Sequence, residues 1–380
     1  MAANQPDFST LAQAGVAGLA PYEPGKPIET LRREYGVREV VKLASNENPL
    51  GPSPRAAEAA AEAAREAHRY PDGNGFELKA AIGARHQIDP ACVTLGNGSN
   101  DVLALIAQTF LAPGRQAVFS AHAFAVYPIV TQAAGAQASV VAAQPSSAHQ
   151  PYGHDLPAMA AAAESGAHVA FVANPNNPTG TWEGEEALRQ FLDRVPLSVI
   201  AVVDEAYFEY GAAEAGYPDA SRWLDAYPNL VVTRSFSKVH GLAGLRVGYA
   251  LSHPDVAELM NRVRQPFNCS APAQAAAVAS LADAEFLERS VALNSEQREL
   301  LRAGLEGLGY RPLPSAGNFL TFDAGPEAAN LNEQLLRRGV IVRPVDAYQL
   351  PNHLRVSVGT PAENRAFLGA LATAAGGGAA

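Results

Sequence analysis

Lys238 ends the run Ser235-Phe236-Ser237-Lys238, among small hydroxyl and apolar residues. An amine taken out of water there loses its charge readily and becomes a nucleophile. Arg246 follows Gly241-Leu242-Ala243-Gly244-Leu245, and with the two serine hydroxyls it suits a phosphate group. Asp204 ends an apolar run in Val202-Val203-Asp204-Glu205-Ala206-Tyr207. A carboxylate just off a buried strand is costly unless paired, and a protonated ring nitrogen would be a suitable partner. Tyr207 can reach the same ring. In Leu95-Gly96-Asn97-Gly98-Ser99-Asn100-Asp101 a glycine-rich turn opens a helix, whose first N–H groups suit a phosphate. Ala173-Asn174-Pro175-Asn176-Asn177-Pro178-Thr179-Gly180 is a tight turn, from which an Asn amide can donate to a phenolic oxygen. Taken singly, each segment also fits an ordinary turn or a solvated surface residue. The weight lies in all four, each just after a strand-like run.

Beyond the short strand that opens the 95–101 segment itself, strand-like runs cover residues 116–120, 138–143, 168–173, 199–203 and 230–233. Helical patterns lie between them at 101–111, 123–134, 156–163 and 185–195. Near-continuous apolar strands alternating with helices predict an α/β fold with a mostly parallel central sheet sandwiched by helices. Ligands in such folds sit outside the carboxyl ends of the strands. Before this region come a polar leader, a short helical pattern at 28–35 and an Ala-rich helix at 56–67. After Pro266, long helical patterns at 275–282 and 285–308 lead into short strands and helices, read as a smaller α+β domain. The expected division is 1–45 as an N-terminal arm and part of the small domain, 46–266 as the large domain, and 267–380 as the small domain. The tail from 376 to 380 is expected to fray.

At 380 residues, with 48% hydrophobic and 17% charged residues, the chain buries too much apolar surface to be disordered. The net charge is −10 and no basic block occurs, so nucleic acid is not an expected partner. An acidic chain that binds anions must do so through a local cluster. Cys92 and Cys269 have neither metal-ligand spacing nor the number for a disulfide framework, so no metal site is expected. No apolar stretch suggests a membrane span and no leader pattern suggests export; the expected location is cytoplasmic.

Together the four segments resemble the fold-type-I aminotransferases, which use pyridoxal 5′-phosphate, and the resemblance spans nearly the whole chain. It implies that Lys238 carries the cofactor and then acts as general base, and that Asp204 pairs with the ring nitrogen. Tyr207 and Asn177 become donors to the ring oxygen. Ser235, Ser237 and Arg246, with Ser99 and Asn100, become the phosphate cup. Phe124, in His122-Ala123-Phe124, matches the aromatic that stacks on the ring; many relatives have Tyr there. Tyr70, in Arg69-Tyr70-Pro71-Asp72, matches a tyrosine that reaches the partner subunit's cofactor, which implies a homodimer with shared active sites.

Within that family the chain is most similar to the histidinol-phosphate aminotransferases. The signs are Ala44-Ser45-Asn46-Glu47-Asn48-Pro49-Leu50-Gly51-Pro52, the arm Leu19-Ala20-Pro21-Tyr22, and the arginines of Val342-Arg343-Pro344 and Leu354-Arg355-Val356. The resemblance implies substrate contacts from Tyr22, Asn46, Arg343 and Arg355. It also implies an amine and a 2-oxo acid as substrates: histidinol phosphate and 2-oxoglutarate, in histidine biosynthesis. A phosphate dianion suits two arginines better than one. An aromatic amino acid aminotransferase and a phosphothreonine-type decarboxylase share these residues and stay open as alternatives. So does a non-catalytic aminotransferase-like module, against which an intact Lys238, Asp204 and Arg246 argue.

Overall fold

A computed structural model describes residues 7–22 and 24–376; the first residues of the leader and all but the first residue of the 376–380 tail lie outside the described residues. In chain order the strands are β1 (Val41–Lys42), β2 (Val93–Gly96), β3 (Gln116–Ser120), β4 (Gln137–Val141), β5 (Val169–Ala173), β6 (Ile200–Asp204), β7 (Leu230–Ser235) and β8 (Gly248–Ser252). There follow β9 (Arg311–Pro312), β10 (Phe319–Asp323), β11 (Val340–Ile341), β12 (Arg343–Pro344) and β13 (His353–Ser357). Seven form the central sheet, in the order β2-β8-β7-β6-β5-β3-β4. β12-β13-β10-β9 form a second, antiparallel sheet, and β1 pairs in parallel with β11.

β5 and β7 are buried along their whole length, as expected for strands covered by helices on both faces. β3 to β7 run parallel, each return made through a helical or turn-rich crossover. β8 breaks the rule, running antiparallel to both β7 and β2. The link from Ser235 to Gly248 holds one turn of 3₁₀ helix (Ala243–Leu245) and no full crossover helix, so the chain can only turn back on itself. Gly248 is needed at that return, because a Cβ there would stand 2.5 Å from Ser99 N.

Two apolar cores lie on the two faces of the central sheet. Val172, Val203, Val232 and Leu251 belong to one; Phe171, Val202, Val231 and Ala250 belong to the other. This alternation is the period-two pattern of a strand buried on both faces. The second sheet has its own core, with Leu320, Phe322, Val356 and Phe367. The Ile28–Tyr35 helix buries Leu31 against Leu336 and Ile341, so the N-terminal segment packs with the C-terminal one.

One expectation needs correcting. The Ala271–Leu281 helix, grouped by the sequence reading with the C-terminal unit, packs on the Pro54–Ala64 and Phe76–His86 helices. Its Ala273, Ala276 and Ala277 belong to the core under the large sheet. Alanines on its inner face allow a close approach to the Ala-rich Pro54–Ala64 helix. Helical periodicity announces such a helix without saying which surface it covers.

Candidate active site

The carboxyl ends of five central strands converge on one pocket. β2 leads to Ser99 and Asn100, β3 to Phe124, β5 to Asn177, β6 to Asp204 and Tyr207, and β7 to Ser235, Ser237, Lys238 and Arg246. The antiparallel sheet adds Arg343 and Arg355, and the N-terminal segments add Tyr22 and Asn46. One expected site residue lies elsewhere. Tyr70 is 82% exposed and stacks on Phe267, with ring centroids 4.6 Å apart, outside its own chain's pocket.

Lys238 Nζ donates to Ser45 O at 3.3 Å and sits 5.4 Å from the Tyr207 ring centre. Burial, and then the nearby Arg355 guanidinium, bring its ammonium down to about 8. Near neutral pH an appreciable share of the amine is therefore uncharged and nucleophilic.

Asp204 is 5% exposed at the end of β6. Its Oδ2 accepts from Tyr127 Oη at 2.8 Å and its Oδ1 from Thr233 Oγ1 at 2.9 Å. Burial still holds the carboxyl above its ordinary value, the two hydroxyls offsetting only part of the lost solvation. Tyr207 Oη accepts from Asn46 Nδ2 at 2.9 Å, and its ring meets Phe319 edge-on. Asn46, in left-handed backbone at φ 54°, also accepts from Ser357 Oγ through Oδ1 at 2.9 Å. Within this chain its amide therefore orients Tyr207.

A third corner is built for an anion. Gly98 offers no side-chain cap to the Ser99–Phe110 helix, which leaves the helix's first N–H groups for a ligand. Arg246 lies across Gly98 so closely that a Cβ there would stand 2.0 Å from Nη2. Arg246 Nη1 donates to Ser237 Oγ at 3.2 Å, and Ser237 N donates to Ser235 Oγ at 3.1 Å. Helix N–H groups, two hydroxyls and a guanidinium form a phosphate cradle. The buried Asp204 carboxylate, with neutral hydroxyl donors and the same pocket before it, suits a cationic ring nitrogen. Phe124, edge-on to Tyr127, offers a ring face between the two corners. Phosphate cradle, aromatic face, ring-nitrogen partner and a readily deprotonated lysine together fit pyridoxal phosphate.

The fourth corner holds the two arginines. Arg355 is 5% exposed, donates through Nη1 to Asn177 Oδ1 and through Nη2 to Ala44 O at 2.8 Å. Its Nε is buried with no hydrogen-bond partner among the described residues. The Arg343 guanidinium lies 5.9 Å from the Tyr22 ring centre. Sequence reasoning missed Tyr127, Thr233, Ser357 and the Ser45 carbonyl. Only Tyr127 left a signal: it follows Phe124 at one helical turn's spacing, in the run after β3.

Residues 38–371 match the family model of the class I and II aminotransferases. The chain is 56% identical over 368 residues to histidinol-phosphate aminotransferase 2 of Pseudomonas fluorescens, covering 96% of this chain and 98% of that one. It is 54% identical over 367 residues to the Pseudomonas aeruginosa protein of the same name, covering 96% and 98%. Among solved structures, the histidinol-phosphate aminotransferase of Sinorhizobium meliloti in complex with pyridoxal-5′-phosphate superimposes with a TM-score of 0.86. That alignment has 29% identity and covers 94% of this chain and 96% of the other. A Thermus thermophilus aspartate aminotransferase double mutant, 24% identical with a TM-score of 0.82 over 96% and 99% of the two chains, shares the fold. With a family model matched over most of its length and relatives more than half identical across nearly all of it, this chain belongs to the class I and II aminotransferases.

Proposed function

We propose that this enzyme catalyses pyridoxal-phosphate-dependent transamination of histidinol phosphate with 2-oxoglutarate, giving imidazole acetol phosphate and glutamate in histidine biosynthesis. One observation carries the substrate choice: Arg343 and Arg355 are register partners on β12 and β13 and open on the pocket that holds Lys238. Directly opposed residues of an antiparallel pair project from the same face, so both side chains are directed to the same side of the sheet. A phosphate dianion can accept charge-assisted hydrogen bonds from both. A dicarboxylate acceptor can use the same pair in the second half-reaction. The names of the relatives at 50–56% identity support the reading.

Ser99, Asn100, Ser235, Ser237 and Arg246 would hold the cofactor phosphate, Phe124 would cover its ring, and Asn177 and Tyr207 would face its ring oxygen. When bound, pyridoxal phosphate supplies an electron sink for the carbon that loses its proton. Asp204 keeps a proton on the ring nitrogen. Lys238 Nζ carries the cofactor, and as a free amine it is the base that takes the proton from the substrate carbon and returns it. Tyr22 and Arg343 close the pocket's outer side over the substrate's anionic end.

The homodimer belongs to the same reading. Tyr70, exposed, stacked on Phe267 and outside the lining of its own pocket, is at the surface where it can meet a partner's cofactor phosphate, and the neighbouring Phe76 is 77% exposed. Cytoplasmic location goes with it: Cys92 and Cys269 are both unpaired, as suits a reducing compartment. Among the described residues, no helix is long and apolar enough to cross a membrane. The test is a transamination assay of histidinol phosphate, phenylalanine and tyrosine, each with 2-oxoglutarate. Histidinol phosphate is expected to have the highest kcat/KM. Good turnover of phenylalanine or tyrosine with none of histidinol phosphate would replace this reading with an aromatic aminotransferase.

A further inference from the structure

We propose that Tyr127 is a positioning residue for the reaction: its hydroxyl, bonded to Asp204 Oδ2, keeps that carboxylate ionised opposite the cofactor's ring nitrogen. The inference rests on the reading that Asp204 faces that nitrogen. It does not depend on which amine is the substrate.

Tyr127 lies in the first turn of the Val126–Ala133 helix and is fully buried. Its ring stacks on Phe171, centroids 4.8 Å apart and planes 8° apart, and meets the edge of Phe124 at 6.0 Å and 87°. These contacts leave the hydroxyl one direction, towards Asp204 Oδ2 at 2.8 Å. Burial and the Asp204 charge push the phenol well above its ordinary value, so it remains a donor at any working pH. A neutral donor stabilises the carboxylate without placing a second cation beside the ring nitrogen. The same side chain thus fixes two corners of the site, the carboxylate by its hydroxyl and Phe124 by its ring.

The titratable groups facing the pair are Tyr207, which acts on the Tyr127 phenol and feels the Asp204 charge, and Lys238 across the pocket; Thr233 bonds the other oxygen. Burial already raises the Asp204 carboxyl, and the two hydroxyls pull it down. Deleting the Tyr127 hydroxyl must raise it further. For a carboxyl raised in the folded state, stability is intact at low pH and is lost as pH rises through the folded-state value. The loss caused by Tyr127→Phe should therefore grow with pH.

The experiment uses Tyr127→Phe, which keeps the ring and its aromatic contacts, and Thr233→Val, which removes the donor to the other oxygen. Melting of cofactor-free protein is followed at pH 5 and pH 8 for wild type, Tyr127→Phe, Asp204→Asn and the Tyr127→Phe/Asp204→Asn double variant. Tyr207 and Lys238 are present in all four, so their titration cancels. The expected result is a fall in melting temperature for Tyr127→Phe that is larger at pH 8, with that excess absent when Asp204 is Asn. In holoenzyme, the single-turnover half-reaction with whichever of histidinol phosphate, phenylalanine or tyrosine the wild type turns over best should slow by about ten-fold at pH 7, the scale of one hydrogen bond to a charged group. Its acid limb should move to higher pH, and Thr233→Val should move it the same way. A pH-independent loss of stability together with an unmoved acid limb would mean that Tyr127 only packs, and would overturn the proposal. An acid limb that moves in Thr233→Val but not in Tyr127→Phe would overturn it too. If Asp204→Asn itself leaves the half-reaction unchanged, the reading of Asp204 fails and takes this proposal with it, leaving the substrate assay to stand separately.

Discussion

Arg343 and Arg355 face each other across the β12–β13 pair, two like charges in direct register on one face of an antiparallel ladder. Both line the pocket that holds Lys238, so an anion bound there can accept charge-assisted hydrogen bonds from two guanidinium groups. Arg355 is the more buried and keeps Nε without a hydrogen-bond partner among the described residues, whereas the Arg343 guanidinium lies 5.9 Å from the Tyr22 ring centre. Arg355→Ala should lower kcat/KM for histidinol phosphate by about 10–100-fold, the scale of losing charge-assisted hydrogen bonds at ~1.4 kcal/mol per decade. Arg343→Ala should hurt the phosphorylated amine more than phenylalanine, because a monocarboxylate needs one arginine. Steady-state kinetics of both variants on both substrates makes the comparison; an equal loss on both would remove the two-arginine argument.

Lys238 sets a pH dependence in the cofactor-free enzyme. Its ammonium is brought down to about 8, chiefly by burial. Capture of added pyridoxal phosphate should accelerate with pH and level off above about 8, as followed by stopped-flow absorbance. A rise continuing towards the ordinary lysine value near 10.5 would contradict the assignment. The stability consequence has a defined sign. A lysine depressed in the folded state costs stability as pH falls from its unfolded value to its folded one. Cofactor-free Lys238→Met should therefore melt above wild type at pH 7, with the gap closing towards pH 10.5.

Gly98 holds the phosphate corner open. Its backbone, at φ 82° and ψ 165°, is in a region that is essentially glycine's, and a side chain there would run into Arg246. Gly98→Ala should cost about 1–3 kcal/mol of backbone strain and push the guanidinium off the cradle. A fluorescence titration should show pyridoxal phosphate bound at least about ten-fold more weakly, the loss of one charge-assisted contact. Affinity equal to wild type would show that Arg246 does not serve the phosphate.

Tyr70 tests the shared site. Tyr70→Phe keeps the stack on Phe267 and removes only the hydroxyl, so weaker cofactor binding with an unchanged fold is expected. Sedimentation at assay concentration should find dimers, since a site completed by a partner residue needs two chains. Full activity in a monomeric fraction would refute the crossing.

Much of this site was legible in the sequence because α/β folds place their chemistry at strand ends, where each motif is a short continuous stretch. Lys238, Asp204, Asn177 and the Gly98–Asn100 turn each follow an apolar run that announces the strand. The near-continuous apolar character of those runs makes the large sheet equally readable. What the sequence left open are relationships between distant segments. Tyr127 and Thr233 meet Asp204 from positions 77 and 29 residues away, and Ser357 reaches Asn46 across 311. Nothing in local spacing encodes such pairs; they follow from strand order and from which face each strand turns to the core. The Ala271–Leu281 helix was legible as a helix but not as part of the large core, since small residues on one face fit any close-packed neighbour. Residue type made Arg343 and Arg355 candidates for an anion, but only the register of β12 against β13 directs them to the same side of the sheet. Register depends on how the whole antiparallel sheet packs over its core, and that is settled in three dimensions.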